Sequence, residues 1–195
     1  MSFILNIETA TKNCSVSIAK DGQTIICSEL ADEGYSHAEK LHVFIEEVIA
    51  KAGISAHDLK AVAVSQGPGS YTGLRIGVSA AKGLCYALNI PLIAVDTMQT
   101  LASQAGVADG KIIPMLDARR MEVYSAIFNS DLTLERAIKA EIIDENSFQE
   151  YTDKLYFVGD CADKCKTVSP FFAIATEQFF VAVSILRIKD KVFNI

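Results

Sequence analysis

The sequence predicts an α/β protein in which a βββαβαβα unit is followed by the opening of a second such unit. Three observations predict it. Both halves begin with three strand-like segments in succession. Stripes of helical period alternate with short apolar runs through the first half. Turn-forming pairs such as Asp21-Gly22 separate the segments.

Phe3-Ile-Leu-Asn-Ile7 reads as a buried strand, Cys14–Ala19 alternates, and Gln23–Leu30 follows the Asp21-Gly22 turn as a hairpin partner. A helix comes next. Ser36 and Glu39 have capping-box spacing, and Leu41, Phe44, Ile45, Val48 and Ile49 form one stripe of 3.6-residue period. Gly53 stands where a left-handed cap ends such a helix. Lys60–Ser65 is a short strand. The turn Gly67-Pro-Gly-Ser-Tyr-Thr-Gly73 then opens a second helix, rich in small residues, that runs to about Leu88. Glycine inside a helix costs up to about 1 kcal/mol relative to alanine, so several together imply that another backbone approaches closely. Pro91–Val95 is a strand, and Asp96 or Thr97 caps a third helix through about Ala105.

In the second half Lys111–Leu116, Glu122–Phe128 and Ile138–Ile143 read as strands, Asp144–Tyr151 as a short helix and Lys154–Val158 as a strand. A duplicated unit of this order is the topology of the ribonuclease-H-like halves of actin-like ATPases. The expected architecture is therefore two such lobes, 1–105 and 106–195, the second short or truncated and atypical after about residue 165.

The chain has 195 residues, half of them hydrophobic and 22% charged, enough for a packed core. Its formal net charge is −6, which does not suit a protein that grips phosphate backbones by itself. The first eight residues lack a basic segment followed by an apolar stretch, and the apolar run Phe179–Leu186 is far below the roughly 20 residues of a membrane span. Five irregularly spaced cysteines argue against a disulfide framework. The expectation is a cytoplasmic protein without a membrane segment.

The glycine-rich turn has two readings. Its backbone N–H groups at a helix N-terminus suit a phosphate, with Gly67, Gly69, Ser70 and Arg75 as candidates. Alternatively, the glycines only permit a tight turn and close packing, and Arg75 pairs with a partner's acid; this second reading is favoured. The Lys-Ser/Thr ending of a P-loop is absent. His37 and His42 point about 140° apart on a helix and read as polar surface residues, as does His57 in its short connection. Cys161 and Cys165 lack a second ligand pair. No arrangement for nucleophilic catalysis emerges.

Four segments carry a family resemblance: Ile7–Thr11, Gln66–Gly77, Pro91–Thr97 and Leu116–Tyr124. In order and spacing, from about residue 1 to 165, they resemble the TsaB (YeaZ) family. That resemblance implies a non-catalytic subunit which pairs with the catalytic paralogue TsaD through helices of its N-terminal lobe and is joined by the ATPase TsaE. The assembly transfers threonylcarbamoyl to N6 of adenosine 37 in tRNAs reading ANN codons, and this chain meets tRNA only through the complex. TsaD carries two metal-binding histidines at positions that fall on Thr97 and Leu101 here, which implies no metal site. Nucleotide-binding relatives place an Asp and a Gly at the first hairpin, whereas this chain has Glu8, Thr9, Ala10 and Thr11. Cofactors are accordingly expected to be unnecessary, with weak ATP or ADP binding left open around Glu8, Thr9, Thr11 and the glycine turn. Asp117, Arg119 and Arg120 lie at the equivalent turn of the second half, as part of that site or as a polar turn with a local ion pair.

The small-residue helix gives the expected partner contacts: Gly73, Leu74, Gly77, Val78, Ala81 and Cys85, with Leu41 and Ile45 of the preceding helix beside them. Without TsaD the same patch could form a homodimer. The rivals are an ATP-dependent phosphotransferase or ATPase of the superfamily, disfavoured by Ala10, and a glycoprotease-like metallopeptidase, disfavoured by Thr97 and Leu101. The tail after residue 165 reads as divergent or frameshifted.

Overall fold

The computed structural model describes residues 2–31, 37–161 and 192–193, in two compact units divided between Thr97 and Met98. The first unit opens with β1 (Phe3–Glu8), β2 (Asn13–Lys20) and β3 (Gln23–Ala31). Asp21 and Gly22 take φ of 49° and 84°, the left-handed pair of a two-residue hairpin, and so fix the β2–β3 register. Helix α1 (His37–Lys51) buries Leu41, Ile45 and Val48, while Phe44 and Ile49 flank them. Gly53, at φ 67°, ends it, and the Ile54 N–H returns to the Ile49 carbonyl. The capping box expected at Ser36 lies outside the described residues.

Strand β4 (Leu59–Gly67), helix α2 (Tyr71–Leu88) and strand β5 (Leu92–Asp96) complete the unit. Its sheet runs β10-β5-β4-β1-β2-β3, where β10 is Val192–Phe193; β1, β4 and β5 are parallel to one another. Helices α1 and α2 cover one face, over a core that includes Leu5, Ile7, Val16, Ile18, Val62 and Val64. The other face carries Ala61, Ala63, Ile93 and Val95. Alternation along β4 thus divides its apolar residues between two cores.

The second unit contains β6 (Lys111–Asp117), β7 (Glu122–Asn129), β8 (Leu134–Ile142) and β9 (Leu155–Gly159), in the order β8-β7-β6-β9. β6 pairs antiparallel with β7 and parallel with β9, as β1 does with β2 and β4. The duplication is visible in hydrogen-bonding order. Helix α3 (Thr97–Ser103) ends two residues before the expected Ala105, and its Met98 and Ala102 pack with Ile112, Leu116 and Phe128. The division consequently falls at the first residue of α3 rather than after the helix.

One expected element is absent. Asp144–Tyr151 is a chain of turns and not a helix. The Asp144 carboxylate takes the Asn146 N–H at 2.9 Å and the Ser147 hydroxyl at 3.0 Å, and Phe148 adopts φ 66°, which a right-handed helix cannot continue through. Phe148 instead drops onto Phe157, ring centroids 5.6 Å apart, and closes the core of Ile113, Met115, Val123 and Ile127. Strand β8 also starts four residues earlier than its apolar run indicates. The tail segment Phe179–Ile185 lies outside the described residues.

Candidate functional site

Helix α2 is set by its own ends. Ser70 caps it by accepting the Gly73 N–H at 3.3 Å, and Asn89, left-handed at φ 52°, closes it with its N–H on the Cys85 carbonyl. Between them Gly73, Gly77, Ala81 and Cys85 recur every four residues and are buried. A Cβ at Gly73 would lie 2.1 Å from the Thr9 carbonyl oxygen, and one at Gly77 would lie 2.2 Å from Thr9 Oγ1. The Thr9 hydroxyl donates to the Gly73 carbonyl at 2.8 Å. The close backbone approach implied by these glycines is therefore made inside the chain, against the end of β1.

This corrects the expected partner contacts. Gly73, Gly77, Ala81 and Cys85, with Leu41 and Ile45, belong to the unit's own core and have no face to offer a partner. Leu74 and Val78 are half-buried beside them. The outward side of α2 is a different set: Tyr71 is 74% exposed and Tyr86 86%, with Arg75, Ser79, Lys82 and Gly83 exposed between them. A groove of about 770 Å³ runs along it, lined by Ala38 and His42 of α1 and by Thr72, Ile76, Ala80, Gly83 and Leu84 of α2. A Cβ added at Gly83 meets nothing within 4 Å. Unlike Gly73, this glycine answers no steric need among the described residues.

The turn after β1 was the candidate for a nucleotide phosphate. The Ser70 N–H donates to the Ala10 carbonyl at 2.6 Å, and a Cβ on Gly69 would come within 2.3 Å of that same oxygen. Ala10 is buried. The 8–11 turn and the 67–73 loop thus press directly together, and Ser70's N–H is spent on protein. Thr11 accepts the Asn13 N–H at 3.2 Å. Arg75 turns along the helix, where its Nη1 donates to the Tyr71 hydroxyl at 3.3 Å and its guanidinium lies 5.4 Å from that ring. The structure brings Glu8, Thr9, Gly67, Gly69 and Ser70 together but does not aim Arg75 at them.

In the second unit the Asp117 N–H donates to Asp160 at 2.9 Å, and Asp117 Oδ1 accepts the Arg119 N–H at 2.8 Å. Arg119 and Arg120, both exposed, take φ of 74° and 48° in the β6–β7 turn. Asp117 thus shapes that turn through the backbone. Thr97 is buried at the start of α3, and Leu101 is half-buried against the second core. His42 and His57 are exposed, and Cys161 is buried beside Phe157; Cys165 lies outside the described residues.

Sequence reasoning missed the role of Glu8. It is 1% exposed on the sheet face opposite α1 and α2, takes the Ala10 N–H at 2.6 Å and receives the Ser65 hydroxyl. Burial pushes its carboxyl above the ordinary value of 4.5, against the lowering effect of Ser65 and of the Ala10 and Thr9 amides. Nearby Cys14 is raised to about 11 by burial and by the Glu8 charge. A raised folded pKa means that the folded state holds the proton more tightly. Stability from this group is complete below the ordinary carboxylate value and is lost as pH rises through the raised one. Urea midpoints are expected to fall as pH rises above the ordinary carboxylate value in the wild type and to stay flatter in Glu8→Gln. An unchanged slope in the variant would contradict this assignment.

The chain matches the family model for TsaD, tRNA N6-adenosine threonylcarbamoyltransferase, over residues 29–178. It is 34% identical over 155 residues to the tRNA threonylcarbamoyladenosine biosynthesis protein TsaB of Escherichia coli, covering 75% of this chain and 66% of that protein. It is 32% identical over 172 residues to TsaB of Buchnera aphidicola, covering 84% of this chain and 80% of that one. The chain belongs to the TsaB family. The solved structure of YeaZ from Pseudomonas aeruginosa superposes with a TM-score of 0.63 at 27% identity, over 75% of this chain and 69% of that one. With the sheet order, this establishes the actin-like, ribonuclease-H-like fold. The chain spans about half to two thirds of the length of several curated TsaB proteins. TsaB is thus a protein of the threonylcarbamoyladenosine pathway related to the TsaD enzyme. No helix among the described residues is long and apolar enough to cross a membrane.

Proposed function

We propose that the chain is a non-catalytic, cytoplasmic scaffold subunit that docks a TsaD-type transferase and supports threonylcarbamoyl transfer to N6 of adenosine 37 in tRNAs reading ANN codons. A TsaE-type ATPase joins the same assembly, and tRNA is met only through the complex. The observation that carries the reading is the outward side of α2. Tyr71, 74% exposed, lines an open groove, Tyr86 lies exposed about one helical turn beyond Gly83, and Gly83 in the groove wall has no packing role within the described fold. Large exposed aromatics around an open groove mark a surface for another protein.

Catalysis is assigned to the partner because Thr97 and Leu101 stand where the paralogue has its metal-binding histidines, and neither replaces them. Nucleotide is not required in this reading, since the 8–11 turn and the 67–73 loop already occupy each other. Magnesium with ATP or ADP is expected to raise the melting temperature by less than about 2 °C, the shift of a weakly bound ligand. A large, saturable shift would favour the phosphotransferase rival instead. The direct test is threonylcarbamoyl transfer by the same organism's TsaD-type subunit, with and without this chain. Stimulated transfer supports the scaffold reading; transfer indifferent to the chain overturns it.

A further inference from the structure

The β6–β7 hairpin breaks a local rule. Arg119 and Arg120 take φ of 74° and 48° in succession, a region that residues bearing a Cβ enter at a cost. Hairpin turns usually fill it with Asn, Asp or Gly, and the β2–β3 turn of this same chain does so with Asp21-Gly22. The arginines are held there from the base of the turn. Asp117 Oδ1 accepts the Arg119 N–H at 2.8 Å, the Asp117 N–H donates to Asp160 at 2.9 Å, and the Glu122 N–H donates to the Arg119 carbonyl at 3.1 Å. Both arginines are exposed, and among the described residues neither enters an ion pair or lies over a ring. Backbone strain kept at an exposed tip, with nothing in the described fold to offset it, marks a functional position. Two adjacent guanidinium groups, each a planar fork of donors, suit phosphate oxygens.

We propose, resting on the docking reading above, that this tip contacts the phosphodiester backbone of tRNA once the assembly has formed. A free nucleotide is the poorer fit. Small ligands take concave sites that bury most of their surface, whereas a nucleic-acid backbone is met by exposed cations. Two contacts are too few for a chain of net charge −6 to hold tRNA by itself. The tip therefore adds to a grip that the partner begins. It positions the RNA and does not read its sequence, because phosphates are the same at every base.

The test uses the full chain, the purified TsaD-type subunit of the same organism and an unmodified tRNA reading an ANN codon. Arg119→Gly combined with Arg120→Asn gives the turn residues that accept its φ values without strain. The isolated double variant is expected to melt about 2–4 °C higher than wild type and to co-purify with the TsaD-type subunit as wild type does. Its complex is expected to bind tRNA about tenfold more weakly, with a slope of log affinity against log salt shallower by about 1.5–2. Arg119→Lys combined with Arg120→Lys keeps both charges and should retain most of that slope. Unchanged tRNA affinity and slope in the first variant would overturn the inference and leave the docking reading standing. Loss of the TsaD-type subunit would make the tip a protein contact, and loss of ATP affinity alone a nucleotide contact; either also overturns it. If the wild-type chain does not co-purify, the docking reading fails and this inference falls with it.

Discussion

Gly73→Ala is expected to destabilise the protein by about 3 kcal/mol, because the new methyl must displace backbone and not a pliable side chain. Its Cβ would lie 2.1 Å from the Thr9 carbonyl oxygen, and the hydrogen bond from Thr9 Oγ1 to the Gly73 carbonyl stands in the same contact. Relief requires α2 to lift from the end of β1, which opens the packing of Ala81 and Cys85 on the sheet. Urea unfolding followed by circular dichroism reads the effect. Gly83→Ala is the control: its Cβ meets nothing, so alanine's better helix propensity should raise stability by about 0.5–1 kcal/mol. Equal effects at the two glycines would show that α2 does not sit as described.

Gly83→Trp is expected to abolish co-purification with a TsaD-type subunit and to return transfer to the level without this chain, at unchanged melting temperature. An indole at an exposed, unencumbered position costs the isolated fold little, yet it fills the groove between Ala80 and Leu84 where a partner helix would enter. The contrast with Ala81 is informative. Ala81 is 0% exposed, so tryptophan there would break the core and lose the partner for an uninformative reason.

That contrast also shows what the sequence could and could not disclose. The order of elements along the chain was legible because each carried its own signal: Leu41, Ile45 and Val48 for α1, Asp21-Gly22 for the hairpin, Lys111–Leu116 for β6. The family was legible in Gln66–Gly77. The orientation of α2 was not. Small residues occur on two sides of it, at 73, 77 and 81 and again at 79, 80 and 83. Either row could have faced the sheet, and only the contact of Thr9 with Gly73 and Gly77 decides which one does. Glu8 was hidden for a similar reason. A carboxylate at a strand end reads as a candidate for a nucleotide site until a strand 57 residues later brings Ser65 beside it. The turns of 144–151 were misread because Asp144 and Ser147 suit a helix start as well as the Asx-type turn they form.

The measurement that bears most directly on the central claim is threonylcarbamoyl transfer to tRNA by the TsaD-type subunit, assayed alone, with this chain and with its Gly83→Trp variant. Stimulation by the wild-type chain and none by the variant, both being folded, is the predicted result. Equal transfer in all three reactions would contradict the account, and would place the function of this chain elsewhere than on the outward face of α2.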